Sequence, residues 1–449
     1  MSTVARPYAP RPHRRTARGW LYTTLQGLRG FPLDRFVREL AVAEGLAPSE
    51  FDRQYAERLQ AFLEFARTHV PLYQDGPWAN VQAAPNAGLG PWPLLERSVV
   101  RARLDDLRPR TSQSRAVTHN TSGSTGASLK IRLSTDAEAW GWAHRYRGLL
   151  WHGLPIGARA LRLSHKHRPL RDFLLDQQCI SNLDEPGAVD AALELLVKRR
   201  PRFVAGTPSK LFYLARCLRE RGINAPLAPF ARVGGEQLFG FQRTAIEQHL
   251  AARALDSYGC TEIGAVAGEC EAGSLHVYAD HVHVEIYDGD VPANPGAFGD
   301  IVLTSLRNRA MPLVRYRVGD RGRLLADRCR CGLPHPVLTD LQSRAADTFS
   351  AGDGSRHHAS ELVTRLAMAY AGHDADGVRQ VQFEQYEPHA WRVWVEKPDG
   401  IGLPTALEER LGGIVRDVAG EGSRVEVCAS PSLQRKHGKF RYYRLLGQA

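Results

Sequence analysis

Hydrophobic and polar positions along this 449-residue chain follow two rhythms in succession. Over residues 34–73 apolar side chains recur at helical spacing, with Leu59, Phe62, Leu63 and Ala66 on one face, and the pattern stops near Val70-Pro71. Gly76–Pro93 is rich in proline, glycine and asparagine and reads as loop. From Trp140 to about Leu161 an aromatic-rich helix leads into a strand. Val189–Lys198 and Pro208–Arg219 predict amphipathic helices on either side of a short apolar strand, Arg202–Gly206. Phe230–Val233 predicts a strand ahead of Gly234-Gly235-Glu236, and Gln242–Ala251 a helix. Strand and helix in alternation argue for α/β layers with parallel strands.

Past Tyr258 the rhythm shortens. Leu275–Tyr287 alternates in strand fashion, and Asp300–Ser305 and Pro312–Tyr316 predict further short strands, so a β-rich subdomain is expected there. The last hundred residues predict a helix (Ser360–Ala371), strands (Val378–Glu384, Ala390–Glu396), a helix (Thr405–Ala419) and a strand (Ser423–Val427). This α+β pattern could fold alone. The expected fold class is therefore α/β. A large N-terminal domain of layered sheets with a β-rich subdomain covers residues 34–343, and a small α+β C-terminal domain covers 344–449.

Composition adds one correction to this outline. With 59 Lys+Arg against 48 Asp+Glu the formal net charge is +11, a value that suggests a nucleic-acid binder until it is located. Residues 1–33 hold six arginines and no acid, and residues 431–449 hold five cations and no acid, which leaves 34–430 neutral. A groove that displaces counterions needs cations spread along one folded face, so no nucleic-acid partner is expected. Residues 1–33 read instead as a flexible basic tail. Met1–Trp20 has no apolar core of a secretory signal, and Pro7, Pro10 and Pro12 break any amphipathic transit helix. No run of roughly 18 apolar residues exists to span a bilayer, so no membrane association is expected. Seven cysteines without a signal sequence suggest a reducing cytoplasm.

The densest chemical signal is Thr121-Ser122-Gly123-Ser124-Thr125-Gly126. Hydroxyls and glycines in this mixture make a loop whose N–H and O–H donors can converge on phosphate oxygens. It is not a Walker A loop, since the residues after Gly126 are Ala127-Ser128-Leu129-Lys130. By itself the segment reads equally as a linker between two strands. It is followed by Tyr258-Gly259-Cys260-Thr261-Glu262, by Val314-Arg315-Tyr316-Arg317-Val318-Gly319-Asp320, and by Gly438-Lys439-Phe440-Arg441.

In this order and at these separations, the four motifs resemble the adenylate-forming superfamily of acyl-CoA synthetases, adenylation domains and luciferases. Phe62–Tyr73, Pro208-Ser209-Lys210-Leu211 and Gly234-Gly235-Glu236 are similar in detail to the phenylacetate–CoA ligase-like branch. The resemblance runs from about residue 55 to Arg444 and implies that the small C-terminal domain is mobile. It also implies roles. Thr121–Gly126 would wrap the β- and γ-phosphates of ATP, Gly234, Gly235 and Glu236 would lie against adenine, and Tyr258 beside Gly259 would flank the base. Thr261 would donate to the α-phosphate, Glu262 would hold Mg²⁺, Asp320 would accept the ribose hydroxyls, and Arg344 would contact ribose and phosphate beside an interdomain hinge. Lys439 would be catalytic, stabilising the charge that builds when a carboxylate attacks the α-phosphate. Only seven of the 59 basic residues are lysines, so a lysine at that position stands out from its Arg-rich background.

The activity implied is ATP-dependent activation of a carboxylic acid, then transfer of the acyl group to a thiol, coenzyme A first among them. The hinge departs from the family in Ala346 and in Ser350-Ala351-Gly352-Asp353-Gly354, which leaves open an amine or a carrier protein as acceptor. A nucleotide-binding homologue without catalysis is the third reading, opposed by the presence of Glu262, Asp320 and Lys439 together. Trp140, Trp142, Tyr146 and Trp151 fall where similar enzymes line the acid pocket and would suit an aromatic acid, or they pack the helix onto its sheet. Cys329 and Cys331, with Cys270 and His276, make a Cys₃His set suited to structural Zn²⁺. The same cysteines can also be read as small buried hydrophobes.

Overall fold

The computed structural model describes residues 14–78, 81, 89–110, 115–120, 129–165, 167–342, 348–372, 375–400, 402–433 and 440–446. The chain forms two compact units, residues 1–158 with 256–342, and residues 159–255 with 343–449. These units divide the chain after residues 158, 255 and 342. The segment 159–255, expected to group with the large domain, shares a unit with the C-terminal segment instead.

The first unit opens with a correction. Residues 1–33 were expected as a flexible tail, yet Ala17–Leu28 is an α-helix, capped by the Thr16 hydroxyl, which accepts from Gly19 N–H at 3.0 Å. The cause is packing that the arginines conceal. Thr16 N–H donates to the Ile156 carbonyl at 3.1 Å, Tyr22 and Thr23 are buried, and any Cβ on Gly19 would collide with the Ile156 carbonyl. Helices Leu33–Glu44 and Pro48–His69 follow, and Phe62, Leu63 and Ala66 of the second are buried as the periodicity predicts.

The β-rich region expected after Tyr258 is, among the described residues, an eight-stranded antiparallel sheet. Its strands lie in the order Val291–Pro292, Val282–Asp288, Gly299–Ser305, Tyr316–Leu324, Val337–Gln342, Leu275–Val277, Gly264–Glu269 and Ser257–Cys260. The strand expected over Pro312–Tyr316 begins only at Tyr316. Arg315 adopts φ +51°, its N–H donates to the Thr304 hydroxyl and its guanidinium grips both oxygens of Glu285, so the extended chain cannot start earlier. A hairpin of Ala116–Asn120 and Lys130–Ser134 brackets residues 121–128. Asn308 ties it down, accepting from Ser134 N–H and donating to the Arg132 carbonyl. Ser134 then caps the helix Thr135–Leu150.

The second unit holds a five-stranded parallel sheet in the order Gln177–Ile180, Ala160–Leu163, Phe203–Gly206, Ala228–Val233 and Ala251–Leu255. The expected α/β alternation is thus present. The helix expected to reach Ala251 stops at His249, because Ala251 already pairs in the edge strand. The C-terminal segment forms a four-stranded sheet (Arg424–Ser430, Ala390–Glu396, Gln380–Glu387, Tyr443–Leu445) backed by helices Ser360–Tyr370 and Thr405–Ala419. It packs on the parallel sheet's helices within this unit. Arg216 donates to the carbonyls of Val378 and Ala375 at 2.9 and 2.6 Å, and Gln242 donates to the Tyr442 hydroxyl at 2.7 Å. No described helix is long and apolar enough to cross a membrane.

Candidate active site

Glu262 sits in the turn that joins strands Ser257–Cys260 and Gly264–Glu269. Two glycines make that turn: a Cβ on Gly259 would strike the Gly264 carbonyl, and Gly264 itself adopts φ +95°. The buried His281 ring braces it, its Nε2–H donating to the Ile263 carbonyl at 3.1 Å. The Glu262 side chain is only 1% exposed. Its Oε1 accepts from Arg97 at 2.8 Å and from the Tyr316 hydroxyl at 3.2 Å, whereas Oε2 has no hydrogen-bond partner among the described residues. Burial and the nearby Glu262 charge push the Tyr316 hydroxyl pKa up, so it stays a donor. A buried carboxylate with one compensating cation and one open oxygen suits a ligand that brings positive charge, such as a divalent metal.

Asp320 lies on strand Tyr316–Leu324, which three strands separate from Ser257–Cys260 in the order of the sheet. Even so, the Tyr258 hydroxyl donates to Asp320 Oδ2 at 2.8 Å. A bulge sets this meeting. Opposite strand Gly299–Ser305, the register shifts between Asp300 and Val302, so Val318-Gly319-Asp320 face a single residue, with Gly319 at φ +90°. Both side chains are half-buried and thus reach solvent. Thr261 lies on the same turn as Glu262 and is half-buried.

Gly234, Gly235 and Glu236 belong to the other unit, at the carboxyl end of strand Ala228–Val233. Gly234 N–H donates to the Gly206 carbonyl, Gly235 takes φ +87°, and Glu236 accepts from Ser209 N–H at 3.2 Å at the start of helix Pro208–Glu220. The carboxyl edge of a parallel sheet is where open α/β folds bind ligands. Thr121–Gly126, Arg344 and Lys439 lie outside the described residues. Arg97 and Tyr316 were not singled out as site residues. Tyr316 stood inside a quoted motif, while Arg97 gave no signal at all.

Cys270, His276, Cys329 and Cys331 do come together, their ligand atoms all within 4.8 Å of one another. His276 donates Nδ1–H to the His335 carbonyl at 2.9 Å, which leaves Nε2 facing Cys331 Sγ at 3.2 Å. Backbone N–H groups of Cys331 and Leu333 point at Cys329 and Cys331 sulfurs, and Gly332 takes φ +81° between them. Hydrogen bonds from Cys331 and His276, against the upward push of burial, hold the Cys270 thiol well below its ordinary value. The donor set, its burial and the oriented imidazole fit Zn²⁺.

The aromatic residues divide. Trp151 is fully buried and donates to Glu44 at 2.6 Å, and Trp140 stacks on Phe36 with centroids 4.3 Å apart. Both pack the helix. Trp142 and Tyr146 pair at 6.4 Å on its other positions.

No protein-family model matches the chain. Phenylacetate–coenzyme A ligase of Thermus thermophilus is 31% identical over 169 residues, 36% of this chain and 38% of that protein. The Pseudomonas putida phenylacetate–coenzyme A ligase is 35% identical over 157 residues, covering 32% and 35%. The chain therefore spans a little over a third of the length of the curated relatives it matches. A solved structure of 2-hydroxyisobutyryl-CoA ligase, in the postadenylation state with 2-HIB-AMP, aligns over 90% of this chain and 92% of that chain. Its TM-score is 0.72 at 20% identity, so the likeness is one of fold. The chain has the fold of the adenylate-forming CoA ligases. In sequence it is related to the phenylacetate–CoA ligases, and the resemblance to that branch of the superfamily is borne out.

Proposed function

We propose that this protein is an ATP-dependent, AMP-forming acid–thiol ligase acting on an aromatic carboxylic acid of the phenylacetate type. The observation that carries this reading is Glu262, a buried carboxylate with one oxygen tied to Arg97 and Tyr316 and the other open, on the same sheet as the Tyr258–Asp320 pair. The relation to phenylacetate–CoA ligases supports the choice of acid and acceptor.

In the first step a carboxylate oxygen of the acid attacks the α-phosphorus of ATP and the bond to the β-phosphate oxygen breaks, releasing pyrophosphate. Glu262 would hold Mg²⁺, which when bound neutralises charge on the phosphates. Asp320, oriented by Tyr258, would accept from the ribose hydroxyls. Thr261 would donate to the α-phosphate, and Thr121–Gly126 would take the departing phosphates. Lys439 would stabilise the charge that develops on the α-phosphoryl oxygens. Arg344, Gly234, Gly235 and Glu236 would complete the nucleotide contacts. In the second step the sulfur of coenzyme A attacks the acyl carbonyl and AMP leaves. Cys270, His276, Cys329 and Cys331 would hold a structural Zn²⁺ with no part in the chemistry.

Acid-dependent exchange of labelled pyrophosphate into ATP, run with phenylacetate and a panel of acids, tests the first step; thioester formation with CoA tests the second. Exchange without acyl-CoA would redirect the acceptor to an amine or a carrier protein. No exchange with any acid would sink the ligase reading.

A further inference from the structure

Helices Leu33–Glu44 and Pro48–His69 meet Trp140 and Arg307 around a cleft of about 460 Å³. Arg307 is fixed there by two contacts, one of them to a ring that is itself held in place. Its guanidinium lies 3.9 Å above the Trp140 ring, that ring is stacked on Phe36, and Nε–H donates to the Asp280 carbonyl at 3.0 Å. The two Nη groups are left without a hydrogen-bond partner among the described residues. The Asp280 carboxylate is engaged by Arg147, both of its oxygens accepting from it at 3.1 and 3.0 Å, and it acts on Arg307 only through space.

Four arginines line this cleft, and they are treated differently. Arg35 and Arg38 have acids at hand, Glu39 at 3.3 Å and Asp34 at 2.9 Å. Arg58 and Arg307 have no ion-pair partner among the described residues, although each contributes to the wall of the same cavity. Burial first, and then the charge of Arg58, push Arg307 down to about 10. Asp280 and Glu39, which also line the cleft, offset part of this, but four guanidinium groups against two carboxylates leave the wall net positive, and a bound anion would relieve the remaining repulsion. A planar guanidinium already stacked and anchored through Nε offers its remaining fork to an oxyanion at little ordering cost. Leu40, Ala43 and Leu46 form an aliphatic wall beside it.

We propose that this cleft is an anion site, separate from the adenylating centre, which takes the phosphate group of a small phosphorylated ligand between Arg307 and Arg58. Two guanidinium groups with no direct ion-pair partner among the described residues match a phosphate dianion better than a single carboxylate.

Titration of the full chain with inorganic phosphate tests this, at ionic strength held constant with chloride and with Mg²⁺ and a non-hydrolysable ATP analogue saturating the nucleotide site. The wild type is expected to bind one phosphate at millimolar concentration or tighter. R58Q and R307K, the latter keeping the charge but not the fork, are each expected to weaken binding about tenfold, and R38Q less than twofold. Thermal unfolding supplies a second readout. Because Arg58 has no partner to lose, R58Q is expected to match or exceed the wild-type Tm in chloride and to gain less from added phosphate. Absence of phosphate binding by the wild type overturns the proposal. So does an R58Q affinity equal to wild type, or phenylacetate occupying the cleft in preference to phosphate.

Discussion

The Arg97 guanidinium meets the Glu262 carboxylate at 2.8 Å in a place where Glu262 has almost no contact with water. Breaking such a pair leaves a charge buried without compensation. Arg97→Ala is therefore expected to cost about 3 kcal/mol, read as a fall in the denaturant midpoint. Glu262→Gln keeps the shape and removes the charge, so it should be tolerated far better in stability. Its loss should show in catalysis, as at least a hundredfold fall in pyrophosphate exchange. A Glu262→Gln enzyme with wild-type exchange would remove this carboxylate from metal binding.

Tyr258 and Asp320 make a milder pair. Removing the hydroxyl in Tyr258→Phe leaves the ring and frees Asp320 to turn away from the ribose position. One hydrogen bond of about 1 kcal/mol is at stake. The expected result is a KM for ATP raised several-fold with kcat nearly unchanged. A change confined to kcat would place Tyr258 in the chemistry instead of in nucleotide positioning.

Lys439 tests the catalytic assignment that rests on motif order. Lys439→Ala is expected to abolish measurable exchange while ATP still binds, as followed by equilibrium titration. Exchange at the wild-type rate would exclude it from the first step.

The Cys₃His cluster predicts stoichiometric zinc in protein purified without added metal, by elemental analysis. Cys329→Ser should lose that metal and lower the Tm, because a bound metal crosslinks Cys270–His276 to Cys329–Cys331 only in the folded chain. Metal-free protein with an unaltered Tm would leave the cluster as four packed side chains.

What the sequence made legible here was local. Tyr258, Gly259, Thr261 and Glu262 fall within one turn, so their spacing carries the signal, and the glycine is required by the Gly264 carbonyl that it touches. The Cys–His set was found from residue chemistry, though its closure across 59 residues had to come from the pairing of Leu275–Val277 with Val337–Gln342. The partners that tune the site were hidden for the opposite reason. Arg97 is one arginine among many, on a six-residue helix with no distinctive pattern, and only tertiary packing brings it to Glu262. Strand Ala116–Asn120 has no pattern of its own in the sequence, because it is largely solvated and shows no apolar alternation. The first helix is hidden because its arginines resemble a tail, while the residue that docks it is a glycine.

His281 braces the turn that carries Glu262, and its burial makes the stability of the fold sensitive to acid. Its buried ring donates to the Ile263 carbonyl beside Glu262, and burial holds its pKa down to about 4. His144 and His335 are pushed well below the ordinary histidine range by the same cause. In the unfolded chain these rings take protons near their ordinary value of about 6.5. Between roughly pH 6.5 and 4 the unfolded state binds protons that the folded state refuses, so stability is whole above that window and falls as the pH drops through it. His281 alone accounts for on the order of 3 kcal/mol across the window. Asp280 adds to the loss at lower pH: burial opposes its ionisation, but Arg147 holds it well below the usual carboxylate range. Urea midpoints are therefore expected to decline steadily between pH 7 and 4.5. His281→Gln, which can still donate to Ile263 but takes no proton, should flatten the decline. An unchanged slope in that variant would assign the acid sensitivity to His144 and His335 instead.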